Sequence, residues 1–407
     1  MRSLTLFKTT SKILLPSTRK ISAMIVPEPP SCLLTEMQVP PRLLFGPGPS
    51  NMPNSVAQTQ GLSLLGHLHP EFVKVMSDVR VGLQYVFQTK NAYTFAVSGT
   101  GHAGMECALL NLLERGEKLL VVQNGIWGER ATSLGKRLGL DVQVVSCPPG
   151  EAVSVPQICE AIEKNKPKVV FVCHGESSTG VCHPLAGIKD ACEKTGTLFL
   201  VDTVASLGGA PFSMDELGVD CVYSATQKVL NAPPGLAPIS FSDKAIQMVK
   251  NRKEPVSSFY FDCLELGNYW GCDGEMKRYH HTAPISSVYA LREALAIVAK
   301  QGINSLVKRH QTNSQFLYQK LQEKGLECFV EKENIRLPCL TTVKVPESVD
   351  WKLVISNLMA EGIEISGGLG PTFGKIFRIG TFGQNSEQQK IENVVNQMAI
   401  AIEKSKL

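Results

Sequence analysis

Residues 93–104 read YTFAVSGTGHAG, and this stretch sets the interpretation of the rest of the chain. Its first residues, Tyr93–Val97, are mostly aromatic or β-branched, which is typical of a buried strand. The next seven contain the pattern G-x-G-x-x-G, and a helix-like apolar run then ends near Leu113. Glycines let the backbone approach a ligand closely, and free amides at a helix start favour an anion. We therefore expect a strand, a glycine-rich turn and a helix that bind a phosphate.

The same glycine pattern occurs in dinucleotide-binding folds, which also need an acidic residue at the end of the next strand. The next predicted strand, Lys118–Val122, ends in Gln123-Asn124 instead. Three interpretations stay open on these residues: a phosphate site, a purely structural turn, or a dinucleotide site. The phosphate site is favoured because the ribose-binding acid is missing.

Short β-branched runs alternate with amphipathic segments over most of the chain, which is typical of parallel βαβ units. Further strands are predicted at Lys168–Cys173, Thr197–Asp202, Cys221–Ser224 and Pro238–Phe241. Beyond about residue 300 the pattern predicts a long helix, strands and a final helix at Ser305–Lys324, Glu327–Val330, Thr341–Val345, Ile376–Gly380 and from about Glu387. The sequence thus predicts an α/β protein with a leader and extension (1–35), a large sheet domain (36–300) and a smaller α+β domain (301–407).

Ligands in doubly wound sheets bind at the carboxyl ends of the strands, so the residues there are candidates for a site. Trp127 follows the second strand and could stack on a flat heterocycle or pack in the core. The segment HGESSTG, residues 174–180, fails the G-x-S-x-G template of serine hydrolases because Thr179 replaces the second glycine. Ser177 is therefore better suited to hydrogen-bonding a ligand.

Two charged residues accompany the later strands. Asp202 ends a buried run, where a carboxylate is costly unless it is paired. It could be a satisfied core residue, a partner of a protonated ring nitrogen or a metal ligand, and the last is weakest because no H-E-x-x-H spacing accompanies it. Lys228 follows a strand and precedes a Pro-Gly turn. It could form a Schiff base, because desolvation lowers the pKa of an amine, or it could be an ordinary surface lysine.

Together these motifs resemble the class V pyridoxal-phosphate-dependent aminotransferases of fold type I. The resemblance runs from about residue 42 to the end of the chain through LFGPGPSN (44–51), SGTGHAG (98–104), NGIWG (124–128), HGESSTG (174–180), VD (201–202), VASLGG (204–209), TQK (226–228), NAPPG (231–235) and GGLGP (367–371). It implies a large domain with a mainly parallel, seven-stranded type of sheet and a smaller C-terminal domain. Thr100 and Thr226 stand where serine is frequent in relatives, and both keep the hydroxyl.

The resemblance also implies a role for each candidate residue. Lys228 would hold pyridoxal 5'-phosphate as a Schiff base and move the Cα proton, and Asp202 would pair with the pyridinium nitrogen. Trp127 would stack on the ring, Ser177 would lie near its phenolic oxygen or the substrate, and Arg378 would bind the substrate carboxylate. The other residues implied for the cofactor or substrate are Thr100, Gly101, His102, Gln227 and Gly46, with Tyr279 and Thr282 reaching the phosphate of the neighbouring subunit of a homodimer.

The implied activity is a transamination that moves the amino group of alanine, or of serine, to glyoxylate. The products would be glycine and pyruvate, or hydroxypyruvate. A 3-hydroxykynurenine or serine–glyoxylate transaminase of the same family is the alternative, because the motifs describe the cofactor and carboxylate sites better than the side-chain pocket. A nicotinamide oxidoreductase would rest on the glycine pattern alone.

Composition excludes several other classes. The chain has 407 residues with 41 basic and 37 acidic side chains, and five of the basic ones lie in residues 1–27. The remainder is neutral, which argues against a nucleic-acid-binding face. The sequence contains no run of about 18 apolar residues, so no membrane span is predicted. The 12 cysteines are scattered without C-x-x-C spacing, so we expect reduced thiols and no metal site.

The two ends of the chain resemble targeting signals. Residues 1–23 are rich in Arg, Lys, Ser and Thr and contain no acid, as mitochondrial transit peptides do. Ser405-Lys406-Leu407 is the tripeptide that the peroxisomal import receptor reads at a C-terminus. Met24 could serve as an internal start that omits the leader. We expect a peroxisomal protein, a mitochondrial matrix protein, or both.

Overall fold

A computed structural model of the protein describes residues 28–406. The predicted leader sequence, residues 1–23, lies outside the described residues. So does Leu407, the last residue of the C-terminal tripeptide. The chain divides into a first unit that ends at Pro41, with a 3-10 turn at Ser31–Leu33, and a second unit that begins at Arg42. The domain boundaries near residues 35 and 300 stay predictions.

A seven-stranded sheet forms the centre of the second unit. We number its strands in chain order: β1 Tyr93–Ser98, β2 Lys118–Gln123, β3 Asp141–Ser146, β4 Val169–Cys173, β5 Leu198–Asp202, β6 Cys221–Tyr223 and β7 Leu236–Phe241. Their spatial order is β1-β7-β6-β5-β4-β2-β3. Six strands run in one direction, and β7 runs antiparallel to them. The predicted α/β class with a mainly parallel sheet is confirmed.

All six strands predicted for this sheet are present, with ends that differ by two residues at most. The sequence pattern missed β3, which lies at the edge of the sheet and pairs only with β2 in the described chain. Most of its side chains are exposed or half-buried, so it lacks the continuous apolar run that marks a strand covered on both faces. In β4 and β5, by contrast, every residue is buried.

Helices connect the strands and cover both faces of the sheet. The α-helices are Asn54–Thr59, Pro70–Phe87, Gly101–Leu112, Ile126–Arg137, Val155–Asn165, Ile188–Thr195, Met214–Leu217, Asp243–Lys250, Cys263–Trp270, Ile285–Gln301, Ile303–Glu323, Trp351–Ala360 and Gln388–Glu403. Short 3-10 turns occur at Phe259–Phe261, Glu333–Ile335, Gly370–Thr372 and Gly383–Asn385. Within residues 28–406 no helix combines the length and the apolar character needed to cross a bilayer.

A second, smaller sheet lies in the C-terminal part of the chain. Leu340–Lys344 and Ser366–Gly367 pair antiparallel with the central strand Ile376–Gly380. These strands pack with the helices Ile303–Glu323, Trp351–Ala360 and Gln388–Glu403 around a hydrophobic core of their own. The strand predicted at Glu327–Val330 is reduced to an isolated bridge between Cys328 and Val343. Only two backbone hydrogen bonds join this segment to the strand Leu340–Lys344.

Two further pairs of two-residue strands are present, one between distant parts of the chain and one within a local hairpin. Leu43–Leu44 pairs with Ile363–Glu364, and Gly175–Glu176 pairs with Val181–Cys182. The first pair brings the segment around Gly46 to the small sheet, because the amide of Gly380 donates to the carbonyl of Phe45 at 2.8 Å.

Candidate active site

A pocket lies at the edge of the large sheet where the parallel strands end. β1, β2, β4, β5 and β6 run in the same direction, so their carboxyl ends meet there. Eight residues predicted for the cofactor site line this pocket together: Thr100, Gly101, His102, Trp127, Ser177, Asp202, Gln227 and Lys228. Met105, Gly175, Val204 and Ala205 complete the lining.

The carboxylate of Asp202 is buried at the end of β5 and accepts two hydrogen bonds. The Tyr223 hydroxyl donates to Oδ2 at 2.6 Å, and the backbone amide of Val204 donates to Oδ1 at 2.7 Å. Burial raises the pKa of Asp202 to about 6, although both hydrogen bonds and the nearby Lys228 lower it. Asp202 also lines the pocket, so its carboxylate can pair with a cationic group of a ligand bound there.

The amine of Lys228 lies across the same pocket, beyond the end of β6. Its Nζ donates to the carbonyl of Pro47 and lies 5.5 Å from the centre of the Phe382 ring. Burial, reinforced by the positive charge of Arg378, lowers the pKa of Lys228 to about 8. A much larger fraction of this amine is therefore neutral near pH 7 than of an exposed lysine, and the neutral amine is the nucleophilic form.

The turn after β1 provides the features expected of a phosphate site. The helix Gly101–Leu112 begins in the pocket, and the amides of its first two residues, Gly101 and His102, donate to no backbone carbonyl among the described residues. A Cβ at Gly101 would lie 3.2 Å from Val204 and 3.3 Å from Ala225, so glycine allows the helix start to approach the strand ends closely. The Oε1 of Gln227 is buried without a hydrogen-bond partner among the described residues, which leaves a polar atom for a ligand.

Trp127 is held in the pocket by hydrogen bonds at both its backbone and its ring. The indole Nε1 donates to Ser177 Oγ at 2.8 Å, and the backbone amide donates to Glu176 Oε2 at 3.1 Å. The ring of His102 meets the indole edge-on with centroids 5.5 Å apart. Burial, reinforced by Arg130, lowers the pKa of His102 and so favours the neutral ring.

These residues fit pyridoxal phosphate. An amine, a buried carboxylate, an aromatic face and a glycine-rich helix start surround one pocket, and each matches one part of that molecule. The sequence analysis gave roles to these residues but none to the partners that hold them, which are Tyr223, Glu176 and Pro47. Glu176 stands in the quoted HGESSTG motif and has 0% exposure. A charged residue between a buried strand and a glycine-rich turn was the available signal for it.

Arg378 lies beside this pocket, in the middle of the strand Ile376–Gly380. Its Nε donates to the Gly367 carbonyl at 2.8 Å, and its Nη1 lies 3.5 Å from the Ser177 carbonyl. Burial lowers the pKa of Arg378, and the charge of Glu176 opposes this effect. Gly46 lies next to the same small sheet, where a Cβ would be 3.2 Å from Ser366 Oγ.

Tyr279 and Thr282 do not line the pocket of their own chain. Both are exposed, and the Tyr279 ring packs edge-on against His67 with centroids 5.5 Å apart. The segment between them is anchored near the end of β1, because Ser98 Oγ and His281 Nε2 are 2.6 Å apart. Of the candidate residues, the structure thus brings eight into the pocket lining, places Arg378 in contact with Ser177 beside it and Gly46 at the small sheet, and leaves these two outside.

Comparison with known proteins places the chain in a family. Residues 44–394 match the model of the family described as aminotransferase class V. The chain is 45% identical over 383 residues to the alanine–glyoxylate aminotransferase of Callithrix jacchus, covering 94% of this chain and 92% of the relative. It is 44% identical over 381 residues to the enzyme of the same name from Drosophila melanogaster, covering 93% and 97%.

Solved structures of similar proteins share the whole fold. The alanine–glyoxylate aminotransferase of Nostoc sp. superposes with a TM-score of 0.88 at 42% identity, covering 90% of this chain and 97% of that one. The ureidoglycine–glyoxylate aminotransferase of Bacillus subtilis gives a TM-score of 0.88 at 32% identity, with 91% and 95% covered. The expected fold type and pyridoxal 5'-phosphate as cofactor are therefore confirmed. Since the family match spans most of its length and the relatives share its architecture, this chain belongs to the class V aminotransferases.

Proposed function

We propose that this protein is a transaminase that moves the amino group of alanine to glyoxylate, giving pyruvate and glycine, with serine as a second donor. The observation that carries the proposal is the placement of Lys228 and Asp202 in one pocket with Arg378 beside it. The relatives supply the substrates. The enzymes from Callithrix, Drosophila and Nostoc are named for alanine and glyoxylate, and the Bacillus enzyme for ureidoglycine and glyoxylate. Glyoxylate is common to all four names.

The side chains divide the chemistry among them. Bound pyridoxal phosphate supplies a ring that withdraws electrons from the substrate Cα. Asp202 would hold a proton on the ring nitrogen, because its buried carboxylate favours a nearby positive charge. Lys228, with its pKa lowered to about 8, would attach the cofactor and then take and return the Cα proton. Trp127 would cover one face of the ring and exclude water from it.

Arg378 would select substrates by their carboxylate. Alanine, serine and glyoxylate all carry this group next to the reacting carbon. The Nε of Arg378 is used by the Gly367 carbonyl, whereas Nη1 has only a 3.5 Å contact, so the outer edge of the guanidinium remains available. Glyoxylate has no side chain, so binding of its carboxylate by a planar guanidinium supplies most of the recognition.

The proposal is tested by incubating the purified protein with alanine and glyoxylate and measuring pyruvate and glycine, which should form in equal amounts. Serine and 3-hydroxykynurenine are offered as competing donors, and preference for the second would favour the alternative within the family. Lys228→Ala should abolish turnover while the variant still binds pyridoxal phosphate noncovalently. Full activity of that variant would refute the assigned mechanism.

We also infer a homodimer in which Tyr279 and Thr282 complete the phosphate site of the partner. Both side chains are exposed, and His67 connects Tyr279 to a neighbouring segment with the exposed side chains Leu62, Leu64, Leu65 and Leu68. Mixed dimers test this inference. A chain with Lys228→Ala and a chain with Tyr279→Ala, each inactive, should together regain about a quarter of the activity if the site is shared between subunits. No regain would contradict it.

Targeting to peroxisomes, mitochondria or both remains a prediction from residues 1–23 and 405–407. Fluorescent fusions that keep the C-terminus free, with and without residues 1–23, test it in cells. Removal of the C-terminal tripeptide should abolish any peroxisomal signal, and removal of the leader should abolish any mitochondrial one.

A further inference from the structure

We propose that Glu176 is a positioning residue: its carboxylate fixes Trp127 and, through the adjoining Ser177, Arg378, so that cofactor binding depends on the ionised form of one buried acid. This inference rests on the proposed function only for the identity of the ligand. It assigns a role to a residue for which the motifs and the proposed chemistry provide none.

The Glu176 carboxylate is surrounded by hydrogen-bond donors. Oε2 accepts from the Trp127 amide at 3.1 Å, and Oε1 accepts from the Ser178 amide at 2.9 Å and the Ser178 hydroxyl at 2.6 Å. The Ser178 hydroxyl is oriented, since its oxygen accepts from the Ile126 amide at 3.1 Å. All three groups that face the carboxylate therefore donate, and an ionised carboxylate, which only accepts, satisfies all of them.

These contacts hold the start of the helix Ile126–Arg137 against the end of β4. The first two amides of that helix, Ile126 and Trp127, are bound by Ser178 and Glu176. A negative charge at this end of a helix is favourable. A Cβ at Gly125 would overlap Glu176, so the approach is close enough to require glycine there. The carboxylate thereby fixes the residue whose indole lines the pocket.

The neighbouring residue extends the effect to both sides of the pocket. Ser177 Oγ accepts from the Trp127 indole at 2.8 Å, and the Ser177 carbonyl lies 3.5 Å from Arg378 Nη1. The Ser177 hydroxyl therefore holds the Trp127 indole, and the Ser177 carbonyl contacts Arg378. Displacement of Glu176 would disturb both.

The charged and titratable groups around Glu176 come from three strands. They are Cys173 at the end of β4, Asp202 at the end of β5 and Arg378 on the small sheet, while the helix Ile126–Arg137 contributes backbone amides. Burial and, to a smaller extent, the charge of Asp202 raise the pKa of Glu176 to about 7, against three hydrogen bonds that lower it. Below about pH 7 the proton would occupy one acceptor position and break one of these contacts.

Glutamine at this position imitates the protonated acid. Whichever way its amide is turned, the NH₂ group faces either the Trp127 amide or the Ser178 donors, so one contact becomes donor against donor. Loss of one such hydrogen bond to a charged group predicts about tenfold weaker binding at the pocket. The exposed Glu129, in the first turn of the same helix, allows the matched control Glu129→Gln.

The experiment measures the dissociation constant of pyridoxamine 5'-phosphate for the cofactor-free protein between pH 5.5 and 8.5. This compound cannot attach to Lys228, so the measurement reports the pocket without the reaction. At pH 8 the Glu176→Gln variant should bind about tenfold more weakly than the native protein and Glu129→Gln should match it, whereas at pH 5.5 the native protein and Glu176→Gln should converge. Parallel pH profiles, or native affinity at pH 8 in Glu176→Gln, would overturn the proposal.

Ser178→Ala is the second variant, and it covers the case in which Glu176→Gln does not fold. The Ser178 hydroxyl lowers the pKa of Glu176, so its removal should move the loss of pyridoxamine phosphate affinity at low pH to a higher pH. If the midpoint of this loss does not move, the titrating group is another one, such as Asp202, and the proposal is contradicted. Because the readout is binding of pyridoxamine phosphate, a failure of alanine–glyoxylate turnover would not be mistaken for a failure of this inference.

Discussion

The lowered pKa of Lys228 makes a quantitative prediction about how fast the protein captures its cofactor. At pH 7 an amine with a pKa of about 8 is about 9% neutral, whereas one at the ordinary value of 10.5 is about 0.03% neutral. The buried amine thus offers about 300 times more of its reactive form. Between pH 6.5 and 9.5, the rate of capture of pyridoxal 5'-phosphate by the cofactor-free protein should rise and level off with a midpoint near 8.

The perturbation is Arg378→Met, which removes the second of the two causes that lower this pKa and leaves burial, the larger one. The midpoint should move upward from about 8, and capture at pH 7 should slow, while the rate above the new midpoint is retained. Stopped-flow absorbance follows the reaction. Arg292→Met is the matched control, because Arg292 is an exposed arginine that pairs with Asp78. A native midpoint near 10.5, or a midpoint that Arg378→Met leaves unchanged, would refute the reasoning.

Three further substitutions test the contacts around the pocket. Tyr223→Phe removes the hydroxyl that donates to Asp202 at 2.6 Å, so it should raise the pKa of that acid. Combined with Glu176→Gln, in which residue 176 no longer titrates, it should move the remaining loss of pyridoxamine phosphate affinity at low pH to higher pH; a midpoint equal to that of Glu176→Gln alone would contradict this. Ser177→Ala leaves the Trp127 indole without its acceptor and should weaken pyridoxamine phosphate binding about fivefold or more in equilibrium dialysis, and native affinity would speak against it. Gly48 has a φ of 113°, and a Cβ there would overlap the side chain of Lys228. Gly48→Ala should cost about 1–3 kcal/mol in urea unfolding and slow cofactor capture, whereas native stability would argue against strain.

The strands show which features of the fold were predictable. β4 and β5 lie in the middle of the sheet and are buried throughout, so each is a continuous apolar run in the sequence. β3 is at the edge, and its exposed side chains leave no such run. β3 is held by its backbone pairing with β2, and the apolar pattern of a single sequence does not contain that pairing.

The site was predictable where a strand-end rule applied. Asp202 and Lys228 could be named because each follows a buried run, and parallel strands place such residues at one edge. Arg378 had no local signal of that kind. It reaches Ser177, 201 residues earlier in the chain, only because the small sheet packs beside the pocket. The pairing of Tyr223 with Asp202, across 21 residues on neighbouring strands, likewise depends on the sheet order.

The sequence by itself determined the class of sheet, most of its strands, the family and the chemical types of side chain at the strand ends. These are local properties, set by apolar periodicity, glycine positions and residue identity. The tertiary structure alone decided which donor faces which acceptor and how deeply each charge is buried. Glu176 and Lys228 have the same ordinary side-chain chemistry as their exposed counterparts, and both acquire unusual pKa values from desolvation. Desolvation is a property of everything that surrounds a group in space, and it exists only once the whole chain has folded around it.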